Sequence, residues 1–134
     1  MRKILSVDDD DSILRCYKKA LDAKGYQAFV TSNPLEVSQI LQDHKLDLVM
    51  LDICMPKRSG FDIFKELKQK YEHLPVLFVT AYPGSFNMES QEMVDLWQNE
   101  FADGITDILY KPFDIDVLYE KVEGLIGPSQ TRVE

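Results

Sequence analysis

The sequence predicts an α/β fold: an open, doubly wound sheet of five parallel strands with helices on both faces. Short apolar or β-branched runs recur at 3–7, 26–31, 46–51, 75–80 and 107–110, each followed by a longer stretch able to form a helix. Two of those runs, 48–51 and 76–79, are continuously apolar rather than alternating, as strands covered on both faces must be, so they are the expected central strands. The stretches between them carry apolar residues at a period near 3.6, the mark of helices with one buried face.

Each element has a local reason. Ile13, Tyr17, Ala20 and Leu21 form the inward stripe of the first helix; Asp11 is its expected cap and Gly25 its stop. Asn33 caps the next, with Pro34 at the first helical position and Glu36 placed to reach back to the free amides. A third helix starts near Phe61, turns Phe61, Phe64, Leu67 and Tyr71 inward, and has Gly60 in the loop leading to it. Within 81–104, Pro83-Gly84-Ser85 signals a turn, and the helix begins only near Met88 or Glu89, with Met88, Met93, Trp97 and Phe101 as its core face. Ile115, Leu118, Val122 and Leu125 are the inward stripe of the last helix. Residues 1–127 form one domain, and 128–134 read as a tail or the start of a linker.

Composition narrows the function. In 134 residues, 15 Lys and Arg face 23 Asp and Glu, and the net charge of −8 repels a phosphate backbone, so direct nucleic-acid binding by this domain is not expected. Cys16 and Cys54 lie far apart without metal-ligand spacing, which fits a reducing cytoplasm rather than a disulfide framework or a zinc site. Met1-Arg2-Lys3 is followed by only four residues before a run of aspartates, and no apolar stretch approaches membrane-spanning length, so neither export by a signal peptide nor a membrane partner is expected. His44 and His73 have no second group at ligand spacing and read as surface residues.

Open α/β sheets bind ligands at the carboxyl ends of their strands. The residues there are Asp8-Asp9-Asp10-Asp11, Asp52, Thr80 and Lys111, all polar. Carboxylates gathered at one edge repel unless a cation sits among them, and an oxygen-only set suits Mg²⁺ or a similar hard ion. A lysine and a threonine add a positive charge and a hydroxyl donor for a phosphoryl group, and Asp52 can itself take that group as an acyl phosphate.

The series Ile4-Leu5-Ser6-Val7-Asp8-Asp9-Asp10, then Leu51-Asp52-Ile53-Cys54-Met55-Pro56 with Gly60, then Val79-Thr80-Ala81, then Lys111-Pro112-Phe113, closely resembles the receiver domain of two-component response regulators. The resemblance runs from residue 1 to about residue 127. It implies the flavodoxin-like receiver fold, with strand order 2-1-3-4-5. It also implies Asp52 as phosphoacceptor, and Mg²⁺ as cofactor held by Asp8, Asp9, Asp52 and the backbone carbonyl of Cys54, with Asp9 a direct ligand. Thr80 would bond the phosphoryl oxygens in the active state, and Lys111 would pair with Asp52 and then with the phosphoryl group. The Lys111-Pro112 bond is a candidate cis peptide. Asp10 and Asp11 are not needed as ligands and favour the helix start through its dipole.

Two departures from the family's pattern stand out. Ile108 occupies the position, three before the lysine, where an aromatic residue usually reports phosphorylation; Tyr110, on the same strand face by period 2, is the candidate in its place. The segment between Thr80 and Lys111 is longer than usual, with the extra residues within 82–91 or 99–106, on the surface through which receivers signal.

The resemblance implies a signalling phosphoacceptor rather than an enzyme with a separate substrate. Its chemistry would be confined to self-catalysed phosphoryl transfer and slow autodephosphorylation. The donor would be a sensor histidine kinase or a phosphotransfer protein, with an output partner or domain that the sequence does not identify and a phosphorylation-dependent dimer as an open state of assembly. The chain would be a stand-alone regulator or the amino-terminal domain of a longer protein. A degenerate receiver, binding partners without phosphorylation, is the alternative. A phosphohydrolase of the haloacid-dehalogenase class is disfavoured, because Cys54 stands where its second aspartate would be. A nucleotide-binding enzyme lacks its glycine-rich loop after the first strand.

Overall fold

The computed structural model describes residues 1–53, 55, 59–81 and 105–128. The predicted helix within 81–104 and the tail beyond 128 lie outside the described residues. Five strands form one parallel sheet: β1 (Lys3–Val7), β2 (Gln27–Thr31), β3 (Leu48–Asp52), β4 (Val76–Ala81) and β5 (Thr106–Lys111). Their order is β2-β1-β3-β4-β5. The described helices are α1 (Asp11–Ala23), a 3₁₀ turn (Pro34–Glu36) running into α2 (Val37–Asp43), α3 (Gly60–Lys70) and α4 (Ile115–Ile126).

Strand alternation sorts the apolar residues into two cores. On one face Leu5, Val7, Val49, Leu51 and Phe78 meet Val37 and Leu41 of α2 and Phe61, Phe64 and Leu67 of α3. The rings of Phe61 and Phe64 lie 5.4 and 5.0 Å from that of Phe78. On the other face Ile4, Leu48, Met50, Leu77, Val79 and Leu109 meet Leu14, Tyr17 and Leu21 of α1 and Leu118 and Val122 of α4. Both continuously apolar runs are interior strands, and β3, at the centre of the sheet, is buried along its whole length.

Local expectations that shift do so for identifiable reasons. The cap of α1 is Asp10, not Asp11: its side chain accepts from the amides of Ser12 and Ile13, and Asp11 is already helical. Gly25 stops α1 as expected, with a φ of 95°. The amides of Gly25 and Tyr26 bond back to Asp22 and Leu21, a closing turn that delays β2 to Gln27. Asn33 does cap the 3₁₀ turn, accepting from the amide of Leu35, but the Glu36 carboxylate accepts from the Thr31 hydroxyl at 2.9 Å. Gly60 opens α3 itself, with Ser59 as cap. Leu14 and Ile63 are buried although the expected stripes omit them, whereas Ile115, the first residue of α4, is 45% exposed.

Candidate acidic site at the carboxyl edge of the sheet

Three carboxylates converge where β1 and β3 end. Asp8 follows β1 directly, held there by its amide, which bonds the Thr31 carbonyl at 3.3 Å. Asp52 is the last residue of β3 and lies two positions beyond Met50, so alternation turns it toward the face covered by α1 and α4. Asp8 and Asp52 are only 1% and 6% exposed, whereas Asp9 is exposed. Oxygens of Asp8, Asp9 and Asp52 all lie within 4.8 Å of one another.

Asp8 is tied on both oxygens. Its Oδ1 accepts from the amide of Asp10 at 3.0 Å, which joins the site to the cap of α1. Its Oδ2 accepts from Lys111 Nζ, also at 3.0 Å. The lysine's partner in this structure is thus Asp8, where the sequence pointed to Asp52. Lys111 ends β5 and is followed by a cis bond to Pro112, as expected.

Behind this edge the strands β4 and β5 carry the remaining candidates. Thr80 is fully buried and registers against Tyr110, while Phe78 registers against Ile108. Ile108 is part of the α2/α3-side core, and the half-buried Tyr110 packs against the same cluster. The two residues thus share a face, as period 2 requires. Cys54 lies outside the described residues.

The sequence places Gly60 in the entry loop rather than in α3 and offers no sign of its packing. Its amide bonds the Ile53 carbonyl at 3.0 Å, and a Cβ there would run into the backbone carbonyl of Asp52. The start of α3 is therefore seated directly on the backbone of the candidate acceptor. Tyr17 is the polar group that sequence reasoning placed only in the core. Its ring is buried and stacked on Phe113, and burial, followed by the charges of Asp8 and Asp52, raises its hydroxyl pKa well above the usual range for tyrosine.

The donor set fits a hard divalent cation. It consists of oxygens only, and three carboxylates this close, two of them buried, form a cluster that could hold a cation. Mg²⁺ favours such carboxylate sites and keeps part of its water shell.

The family model described as the response regulator receiver domain matches residues 4–123. The chain belongs to that family. Among curated proteins it is similar to sporulation initiation phosphotransferase F of Bacillus subtilis (strain 168), with 36% identity over 90% of this chain and 90% of that protein. It is also similar to the transcriptional regulatory protein CpxR of Klebsiella pneumoniae, at 33% identity over 96% of this chain. The chain spans about half the length of CpxR, 51%. Among solved structures, response regulator TrrA of Thermotoga maritima, in complex with Mg²⁺ and BeF, has 30% identity and a TM-score of 0.76, covering 93% of this chain and 99% of that one. Chemotaxis protein CheY4 of Vibrio cholerae gives the same TM-score of 0.76 at 27% identity, over 93% of this chain and 98% of that one.

The receiver domain is therefore homologous to phosphoacceptor response regulators of two-component systems. Receiver domains bind Mg²⁺ at an acidic pocket, and Asp8, Asp9 and Asp52 form such a pocket here. They are signalling phosphoacceptors, phosphorylated by histidine kinases or phosphotransfer proteins, rather than conventional enzymes; the phosphohydrolase reading falls away with the family match. Among the described residues no helix is long and apolar enough to cross a membrane.

Proposed function

We propose that this receiver takes a phosphoryl group onto Asp52 from a phosphohistidine of a sensor kinase or phosphotransfer protein, and switches the surface around β5 in response. The observation that carries this reading is the meeting of Asp8, Asp9 and Asp52 at one sheet edge with Lys111 bonded into the cluster. An Asp52 oxygen attacks phosphorus, the bond from phosphorus to the imidazole nitrogen breaks, and an acyl phosphate results. Mg²⁺ held by Asp8, Asp9, Asp52 and the Cys54 carbonyl would offset the charge on the phosphoryl oxygens. Lys111, bonded to Asp8 Oδ2 at 3.0 Å, is a cation that could turn to those oxygens once it leaves Asp8.

Thr80 is the hydroxyl donor that would follow the new charge. Tyr110, its register partner, is the aromatic group that would move with it, while Ile108, buried against the α2/α3-side core, holds β5 in place. The functional unit in this reading is residues 1–127, with 128–134 a tail or the start of a linker. A cytoplasmic location follows from the kinase partner, and the same surface is where a phosphorylation-dependent dimer or an output domain would engage. The test is phosphoryl uptake by Asp52→Asn: the variant should fold and remain unlabelled, and stoichiometric, lasting label on it would reject the acceptor assignment.

A further inference from the structure

Tyr17 is a buried polar group that the account so far leaves without a task. It sits in the second turn of α1 on the stripe facing the sheet, and it is 6% exposed. Its hydroxyl is buried, and among the described residues it has no hydrogen-bond partner. Leaving such a hydroxyl unsatisfied is costly, so a tyrosine here needs a state in which the bond is made. Side chains on a helix lean toward its N-terminus, and the N-terminus of α1 abuts the acidic edge, so the ring of Tyr17 leans toward Asp8 and Asp52. Two independent features agree with that direction. Tyr17 lines one cleft together with Lys111, and its ring stacks on Phe113, two residues after that lysine, with centroids 6.2 Å apart and planes 17° from parallel. The charges of Asp8 and Asp52 are also the first to act on its hydroxyl after burial itself.

In the present state each Asp8 oxygen already has one donor, and one of the two is an ammonium group. Asp8 Oδ1 holds the Asp10 amide and Asp8 Oδ2 holds Lys111. We propose that Tyr17 is a positioning residue of the phosphoacceptor site, its hydroxyl donating to Asp8 in place of Lys111 when the lysine is drawn to the modified Asp52. The inference rests on the reading of Asp52 as acceptor and Lys111 as its cation. Asp8 is 1% exposed, so beside the charge that the cation would supply, a hydrogen bond from Tyr17 to the vacated oxygen makes the transfer of Lys111 cheaper. The hydroxyl keeps its proton throughout, so no group is consumed.

The experiment uses the chain with tyrosine labelled at Cζ with ¹³C, observed by NMR alone, with Mg²⁺, and with Mg²⁺ and beryllofluoride. Six tyrosines give six signals, and Tyr17→Phe identifies the relevant one by its loss. In the wild type the Tyr17 signal should move on addition of beryllofluoride. In Lys111→Ala, where no lysine occupies Asp8, it should stand near that shifted position before any addition. Tyr17→Phe should bind beryllofluoride with Mg²⁺ about tenfold more weakly than wild type, the effect of one hydrogen bond to a charged group, while the unloaded variant melts no lower than wild type. A Tyr17 signal that stays put in both the loaded wild type and Lys111→Ala, or equal loading of Tyr17→Phe and wild type, overturns the inference and leaves the acceptor reading standing. Failure of the wild type itself to take beryllofluoride overturns both.

Discussion

At the scale of single residues, the site is a balance of buried charge. Lys111 and Asp8 form a pair in which the carboxylate is nearly inaccessible and the lysine only partly so. Lys111→Ala would leave that carboxylate buried beside two others, so the metal-free variant should be less stable by roughly 3 kcal/mol. Added Mg²⁺ should restore more of its melting temperature than it adds to the wild type, because the cation then supplies the missing charge. Thermal melts with and without Mg²⁺ check both parts. Tyr17 brings a pH dependence. Its folded pKa is raised above the ordinary value of 10.0, first by burial and then by Asp8 and Asp52. The unfolded chain therefore loses this proton first, and the stability it represents, complete below about pH 10, declines as pH rises beyond that value. Urea unfolding at about pH 9 and about pH 11 should show a smaller loss in Tyr17→Phe than in the wild type. The polar strand ends made Asp8, Asp52, Thr80 and Lys111 candidates in the sequence, and the structure brings Asp8, Asp52 and Lys111 together at one edge. The partner of Lys111 was not readable, since it depends on which carboxylate the fold brings within 3.0 Å. Nor was the role of Tyr17, because a tyrosine on an apolar stripe looks the same as any core residue.

Single elements position these residues, and their ends matter most. The N-terminus of α1 is fastened to the site through Asp10, which caps the helix with its side chain and bonds Asp8 with its amide. Asp10→Ala should cost about 1 kcal/mol of stability, and Asp11→Ala only a few tenths, in a direct comparison of unfolding free energies. Adjacent aspartates are equally good caps on paper, so a one-residue slip in the sequence reading was unavoidable; the backbone angles at Asp10 decide it. The start of α3 rests on the acceptor strand in the same manner. Gly60→Ala would force a methyl into the Asp52 carbonyl, and the variant should lose about 2 kcal/mol of stability and take up phosphoryl groups more slowly. Comparison of its melting temperature and labelling rate with wild type checks that coupling. Strand positions were legible to within two residues, helped by the continuously apolar runs 48–51 and 76–79, whereas helix faces were less so: Ile115 keeps the 3.6 period of α4 yet, as its first residue, is 45% exposed.

For the whole molecule, sheet order turns scattered aspartates into one site. The order β2-β1-β3-β4-β5 sets β1 beside β3, so Asp8 and Asp52, distant in sequence, end neighbouring strands at the same edge. β5 lies two strands from β3, yet Lys111 is long enough to return to Asp8. Alternating strands and helices made this parallel architecture readable, because a parallel connection requires a crossover of helical length. Two cores on opposite faces back the strands that end at this edge. The central claim is that this edge accepts a phosphoryl group on Asp52 with Mg²⁺. Intact mass after incubation with acetyl phosphate, with and without Mg²⁺, on wild type and Asp52→Asn tests it most directly. The account predicts a gain of one phosphoryl group in the wild type with Mg²⁺ and in no other sample; an equal gain by Asp52→Asn, or none by the wild type with either acetyl phosphate or a phosphorylated histidine donor, would contradict it.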